Sequence, residues 1–317
     1  MITFFEDGIV TLQKVTLIGA ANIDIQGFPF DKLIYRDSNP GRVRVCPGGV
    51  SRNIAENLSR MGVDTELVSA VGKGANGRFI LDSCRQSGIG CSNVLVVPDM
   101  ESSTYMAIMD REGDMALALS DMSISGRITV EYLKSIREVI EASAVIEVDP
   151  CLSAEVVAYV LEEYCDIPVF IDPVSIGKAK KIKNLLGKID TLKLNRLEAE
   201  YLSDSRISTN DDLFRVSSYF LNAGVHNLFI TLGKDGVYYT NREQSGTIVP
   251  PETEIINATG AGDAFMAGVI YGTLAGYGMV RTAEFATAVA IAALSSQDTV
   301  NSSTTIAMIE RIIKERF

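Results

Sequence analysis

Asn257-Ala258-Thr259-Gly260-Ala261-Gly262-Asp263 leads straight into 264–280, seventeen residues without a charged side chain. Three small residues, then an aspartate, at the start of an apolar helical stretch leave backbone N–H groups bare at a helix N-terminus, where the dipole favours an anion. Gly260 and Gly262 carry no side chain and Ala261 only a methyl, so a phosphate meets no obstruction. Asp263 follows the cradle directly. Donors for the charge on a transferred group, with a base beside them for the attacking hydroxyl, are what phosphoryl transfer to an alcohol requires. The bare alternative for Gly-Ala-Gly-Asp is a turn with an N-cap. Its setting, between the strand-like run 254–256 and a long small-residue helix, favours the anion site.

A chain of 317 residues with 47% hydrophobic content suits one large α/β domain, or one with a small appendage. Its 29 lysines plus arginines stand against 40 acidic residues, a net charge of −11. With no cluster of Lys and Arg, that balance argues against a nucleic-acid partner. Lys178, Lys180, Lys181 and Lys183 read as one solvated helix face rather than a phosphate or membrane site. Cys46, Cys84, Cys91, Cys151 and Cys165 are scattered, odd in number and free of CxxC pairs, which points to reduced thiols and a cytoplasmic protein. The single histidine, His226, sits in a turn-like Gly224-Val225-His226-Asn227, so a general base is sought among carboxylate, lysine, tyrosine and thiol. Residues 1–14 have neither the charge-led apolar core nor the cleavage site of a signal peptide. Gly268, Gly272 and Gly276 at a spacing of four mimic a membrane dimerisation helix. The stretch is short for a span and follows an anion cradle, so a buried helix packed closely on a sheet is expected.

Strand-like runs at 15–18, 65–71, 104–109, 144–148, 169–171, 191–194, 228–231 and 236–240 alternate with helical patterns at 53–61, 77–87, 130–142, 154–164, 196–202 and 211–223. Thr129, Ser153 and Asn210 read as N-caps. The alternation predicts a mostly parallel sheet with helices on both faces. Segments 22–46 and 94–120 break it with strand-like pieces and turns, among them Arg111-Glu112-Gly113-Asp114. They are expected to form a small β layer that closes over a substrate and excludes water.

Four further junctions carry candidate chemistry. At Gly48-Gly49-Val50-Ser51-Arg52-Asn53, glycines let a ligand lie on backbone and Asn53 offers a donor and an acceptor; an ordinary tight turn is the other reading. In Gly19-Ala20-Ala21-Asn22-Ile23-Asp24, after the first clear strand, Asp24 either accepts from two adjacent hydroxyls, as on a ribose, or makes an Asx-turn. Asn195 and Glu198 either contact phosphate and a hydrated Mg²⁺ or form a capping box. Thr231-Leu232-Gly233-Lys234-Asp235-Gly236 either meets a nucleotide phosphate or is a hairpin turn. Gly72-Lys73-Gly74-Ala75-Asn76-Gly77, with Asp99 further on, has the form of a dinucleotide fingerprint, but it lies late in the chain and Asp99 follows Pro98. No P-loop pattern occurs.

Taken in order, Gly48-Gly49 with Asn53, Asn195-x-x-Glu198, Thr231-x-Gly233 and Thr259-Gly260-Ala261-Gly262-Asp263 resemble the ribokinase-like PfkB family of sugar and nucleoside kinases. The match runs from about Val15 onward, leaving 1–14 as an extension. Residues 19–24, Ser38-Asn39-Pro40-Gly41, 49–58, Asp121-Met122 and Lys193-Leu194-Asn195 resemble the pseudouridine-phosphorylating branch more than the ribokinase or adenosine kinase branches. The resemblance implies a three-layer α/β/α core with a mostly parallel central sheet and a small β lid, formed by about 22–46 and 94–120 and often also a dimer surface. All of 1–317 would be one kinase domain. It implies ATP and Mg²⁺, with Asp263 as base on a ribose 5′-hydroxyl and Gly260, Ala261 and Gly262 as anion hole. Asn22, Asp24, Ser38, Gly48, Gly49 and Asn53 would hold the nucleoside. Lys193, Asn195, Thr231, Gly233, Gly236 and Thr259, with Gly260 and Gly262, would serve the nucleotide, and Glu198 the metal through water. Asn257 stands where relatives often carry an aspartate that helps to bind a monovalent cation, which leaves K⁺ activation open. Another sugar or nucleoside kinase is the second enzyme reading, and a nucleotide sensor without turnover is the reading from a different class.

Overall fold

The computed structural model describes residues 3–4, 10–11, 13–112, 114–251, 253 and 255–316. Strands β1 (Thr3–Phe4) and β2 (Val10–Thr11) pair antiparallel ahead of the main body. The body is a nine-stranded sheet of β3 (Val15–Ile18), β6 (Thr65–Gly72), β7 (Val94–Val97), β10 (Val145–Val148), β11 (Val169–Ile171), β12 (Thr191–Asn195), β13 (Asn227–Thr231), β14 (Val237–Thr240) and β15 (Ser245–Ile248). Its spatial order is β15-β14-β13-β12-β11-β10-β3-β6-β7, and only the β13–β14 and β14–β15 pairings are antiparallel. Between β3 and β6 run β4 (Asn22–Pro29) and β5 (Gly41–Gly48); between β7 and β10 run β8 (Thr104–Met109) and β9 (Met115–Asp121). These four form a separate sheet, β5-β4-β8-β9.

Helices cover both faces, as burial on both sides of a parallel sheet requires. One face carries α1 (Val50–Arg60), α2 (Ala75–Gln86), α9 (Ala261–Leu274), α10 (Met279–Leu294) and α11 (Ile306–Arg316). The other carries α3 (Val130–Ser135), α4 (Arg137–Glu141), α5 (Ala154–Glu163), α6 (Ile176–Ala179), α7 (Arg196–Ser203) and α8 (Asn210–Ala223). Strand residues alternate between the two cores: Val145 faces α1 and α9, whereas Ile146 and Val148 face α5.

The sandwich and the small sheet are those expected, with corrections of detail. Val94–Val97 pairs with β6 at the edge of the central sheet, so the second arm of the small sheet begins at Thr104. The expected helix 130–142 breaks at Ile136 into α3 and α4. Thr209, not Asn210, caps α8, because its hydroxyl accepts from Asp212 N while the Asp212 carboxylate returns to the Thr209 amide. Ile255 and Ile256 are loop, not strand, and both are exposed; Glu254 lies outside the described residues. Pro250 and Pro251 just before them lack ladder donors. In the β8–β9 turn, Asp110 N donates to Asp114 O, and Gly113 lies outside the described residues. The glycine rhythm of α9 serves a helix neighbour before the sheet. A side chain at Gly268 would press on the Ala286 backbone of α10 and one at Gly272 on Thr282, while Gly276 takes a positive φ beyond the helix end. Among the described residues no helix is long and apolar enough to cross a membrane.

One residue conflicts with the apolar pattern. Glu147, paired with Leu17 and Phe170 in the middle of the sheet, is fully buried on the α1–α9 face. Both its carboxyl oxygens lack a hydrogen-bond partner among the described residues. Burial, then the charge of Asp149, hold its pKa well above the ordinary range; the Ser51 hydroxyl moderates the shift without a bond of good geometry. Glu147 is therefore a neutral acid in the folded chain. The unfolded chain releases this proton in the ordinary glutamate range and the folded chain keeps it, so the wild type loses stability as pH rises from that range toward the folded pKa. Glu147→Gln removes this slope. Its stability advantage in urea should grow between pH 5 and pH 7, by up to about 1.4 kcal/mol per pH unit. An equal gap at both pH values would show an ionised Glu147.

Candidate active site

The carboxyl ends of β3, β10, β11 and β12 open beneath the N-terminus of α9, where ligands collect in open α/β sheets. Gly260 is the N-cap of α9, with φ +84°, and any side chain there would collide with the Thr299 carbonyl. Glycine is thus required by both dihedral and space. The Asn257 side chain holds the loop, accepting from Thr259 N at 2.9 Å and donating to Gln297 O at 3.0 Å. Ala261 N makes a long 3.5 Å bond to Ala258 O and Ala264 N donates to Gly260 O at 2.9 Å, so the amides of Gly262 and Asp263 between them belong to the turn that a helix leaves without internal acceptors.

Asp263 lies in the first turn of α9 and accepts a 2.8 Å bond at Oδ2 from Asn53 Nδ2 on α1. Burial raises its pKa to about 7; the Asn53 bond and the Lys193 charge lower it, and Asp172 and Asp149 raise it. A carboxylate poised there suits a general base at neutral pH. Beneath Gly262, Lys193 Nζ pairs with Asp172 Oδ2 at 2.6 Å. Burial alone would lower Lys193, but Asp172 more than offsets this and the group stays above its ordinary value, hence charged. A Cβ on Gly262 would stand 2.9 Å from that ammonium, which places the cation under the cradle.

Asn53, bonded to Asp263, is one of the residues expected to hold a nucleoside. Asn22 Nδ2 donates to Asp24 Oδ1 at 2.6 Å, and Asp24, Asn22 and Asn53 are all buried. Burial raises Asp24, with the Asn22 bond and Arg52 opposing. Gly48 leaves the space that the Asp24 carboxylate fills, and Gly49, with φ +102°, lies against the Ala20 carbonyl. Ser38 is apart from this group: it is exposed in the β4–β5 connection, its amide bonded to Asp37.

A cleft beside the N-terminus of α9 has a volume of about 780 Å³, within the range of small-molecule sites. Thr231, Gly233, Gly236, Phe265, Ala290 and Leu294 line it, and it reaches Ala261 and Gly262. Thr231 Oγ1 bonds the Leu194 carbonyl at 3.3 Å, and Gly236, with φ +95°, lies against the Ile248 carbonyl. Asn195 and Glu198 form the capping box. Asn195 N and Nδ2 donate to the two Glu198 oxygens at 2.8 and 2.7 Å, and Glu198 N donates to Asn195 Oδ1 at 3.0 Å. With both oxygens engaged, Glu198 has spare lone pairs for a metal-bound water but does not form a cage. Among the described residues no group of three or more acidic, His or Cys side chains could hold a metal. That donor set fits Mg²⁺ carried by a triphosphate and its waters.

Two acids here escaped the sequence reading. Asp149 and Asp172 each end a strand before a proline, in Val148-Asp149-Pro150 and Ile171-Asp172-Pro173, a repeated signal that was legible. The lysine patch is corrected in part: Lys180 and Lys183 are exposed as expected, whereas Lys178 and Lys181 are partly buried. Lys178 pairs with Asp149 at 3.3 Å, Lys181 donates to the Pro150 and Leu152 carbonyls at 2.8 and 2.6 Å, and Lys180 and Lys183 lie over the Tyr201 ring. The long stems of Lys178 and Lys181 carry their ammonium groups to the end of β10. The glycines of the dinucleotide-like segment serve packing, since a side chain at Gly77 would strike the Gly72 carbonyl and Gly72 N donates to Ser102 Oγ.

The family model described as pfkB family carbohydrate kinase matches residues 12–306. Pseudouridine kinase of Escherichia coli is 40% identical over 301 residues, covering 95% of this chain and 96% of that protein. Among solved structures, a carbohydrate kinase from Agrobacterium tumefaciens superposes with a TM-score of 0.83 at 26% identity, over 96% of this chain and 97% of that one. Arabidopsis thaliana ribokinase, complexed with ribose and ATP, shares the fold with a TM-score of 0.82 at 17% identity, over 96% and 99% of the two chains. Sequence family and architecture agree with the cradle, the buried acid and the cleft: the chain belongs to the pfkB family of carbohydrate kinases, phosphotransferases with an alcohol group as acceptor.

Proposed function

We propose that the protein transfers the γ-phosphoryl group of ATP to the ribose 5′-hydroxyl of pseudouridine. The observation that carries the reading is that Asp263 is bonded to the buried Asn53 and directly follows Ala261 and Gly262, which line the cleft. Similarity to the E. coli pseudouridine kinase favours this nucleoside over other sugars of the family.

In this reading Asp24 and Asn53 hold the ribose hydroxyls and Asp263 accepts the 5′-hydroxyl proton. The alkoxide oxygen bonds the γ-phosphorus as the bond to the β–γ bridging oxygen breaks, and ADP leaves. The amides of the α9 first turn and the Lys193 ammonium meet the charge on the moving group. Mg²⁺, when bound, neutralises charge on the phosphates; Glu198 would face it through water. Thr231, Gly233 and Gly236 border the nucleotide. Residues 1–317 act as one catalytic unit with the small sheet as its lid, and the five free cysteines suit a cytoplasmic enzyme.

The lid also supplies a dimer surface. Register places Val45, Met106 and Leu119 in one row and Val43 and Leu117 in the next, all on the face opposite Asp24 and all exposed. A contiguous exposed apolar patch of this kind marks an interface.

With ATP and Mg²⁺, pseudouridine should give the highest kcat/KM in a panel with uridine, ribose and fructose 6-phosphate; a clear preference for another acceptor would move the enzyme elsewhere in the family. Asp263→Asn should lower kcat by roughly 10²–10⁴-fold with nucleotide affinity mostly retained. Because the Asp263 pKa is raised to about 7, wild-type kcat/KM should fall as pH drops below that value, where the base is protonated. A profile flat down to pH 5 would remove Asp263 from that role. Sedimentation of the wild type should show a dimer that Leu119→Asp converts to a monomer, whereas a wild-type monomer would exclude the lid interface.

A further inference from the structure

Arg52 adjoins Asn53 on α1, and only 3% of it is exposed. It does not line the nucleotide cleft, yet its guanidinium is tied to three elements. Nη2 is salt-bridged to Glu56 one turn along and donates to Ser83 Oγ on α2 at 3.0 Å. Nη1 donates to Asn53 Oδ1 at 2.9 Å and to the Pro47 carbonyl, in β5, at 3.4 Å. Arg60 Nε occupies the other Glu56 oxygen at 2.9 Å, which fixes the acid that holds Arg52.

The two ends of an asparagine amide have nearly the same shape and opposite hydrogen-bonding character. Asn53 can present either end to Asp263, but an ionised carboxylate only accepts, so only the Nδ2 end bonds it. A guanidinium only donates, so it binds only the Oδ1 end. Arg52 and Asp263 therefore select the same orientation of Asn53 from opposite sides. We infer that Arg52 is a positioning residue for phosphoryl transfer: by holding Asn53 Oδ1 it keeps Nδ2 aimed at the Asp263 carboxylate.

The inference rests on Asp263 as base. The Asn53 bond is among the interactions that hold Asp263 below the pKa burial alone would give it. The charged or titratable groups facing Asp263 are Asp172 beyond β11, Lys193 on β12, Asp149 beyond β10 and Glu147 on β10. None of these is a hydrogen-bond partner of Arg52, whose guanidinium bonds Pro47, Asn53, Glu56 and Ser83. With the clamp gone, Asn53 turns, Asp263 loses its donor and its proton is held more tightly.

The test is the acid limb of kcat/KM against pH for Arg52→Gln and Arg52→Lys, each in the wild-type and Asn53→Ala backgrounds, with Tm recorded alongside. Both substitutions should move the limb upward by roughly half to one pH unit. Arg52→Lys keeps a cation beside Glu56 but cannot span Glu56 and Asn53 together, so it reads the clamp in a folded protein if Arg52→Gln fails to fold. In Asn53→Ala, neither should shift the limb further, because residues acting through one another are non-additive. An unmoved limb in folded Arg52→Lys overturns the inference and leaves Arg52 as a bolt between α1 and α2. So does an equal shift in both backgrounds, which would mark direct action of the charge on Asp263. Retained kcat in Asp263→Asn would instead sink the assignment of the base itself, an outcome independent of what Arg52 does.

Discussion

Asp263 Oδ2 accepts its bond from Asn53 in surroundings that all but expel a charge. Burial, Asp172 and Asp149 favour the protonated acid, while Asn53, Lys193 and the positive end of α9 favour the carboxylate. The near balance of these effects leaves the group able to take up and release a proton in the neutral range. The remaining acids are managed around it: Lys193 neutralises Asp172, Lys178 pairs with Asp149, and Glu147 carries no charge. A site left with four bare carboxylates would repel a triphosphate. This one keeps two ammonium groups at the strand ends where phosphate is expected.

The two halves of that balance come from opposite ends of the chain, since Asn53 and Asp263 are 210 residues apart. Glycine makes their approach feasible. Gly49 lets α1 begin against the Ala20 carbonyl, Gly260 lets α9 begin against Thr299, and Gly268 lets α10 press on α9. The second and third of these contacts fix where the α9 amides point, so helix packing and catalytic geometry are one constraint.

Much of this was legible in the residues. The β/α alternation follows from burial of a parallel sheet on both faces, and the strands at 15–18, 104–109 and 169–171 have the expected bounds. Thr259-Gly260-Ala261-Gly262-Asp263 marked the start of the buried α9, because small residues ahead of an apolar run leave the first helical turn open. Asn195 and Glu198 showed why one spacing can carry two readings: the capping box is present, and it leaves the acid room only for a water-mediated metal. Among the lysines at 178–183, Lys178 and Lys181 were misread because charge spacing alone does not reveal that a helix is a single turn. Val94–Val97 was placed with the wrong sheet because a short apolar run pairs with whichever edge the tertiary fold offers.

The sequence by itself determined the caps at Thr129 and Ser153, the glycine turns, the order of motifs that marks the family and the acid that follows Gly262. Those features depend on neighbours within a few residues, where backbone dihedrals and caps are set. The tertiary structure decided the rest: the neutrality of Glu147, the ion pair beneath Gly262 and the hold of Arg52 on Asn53. Each of these depends on desolvation and on charges brought together from distant strands. The energy of a buried charge is set by what surrounds it in space, which its place in the chain does not specify.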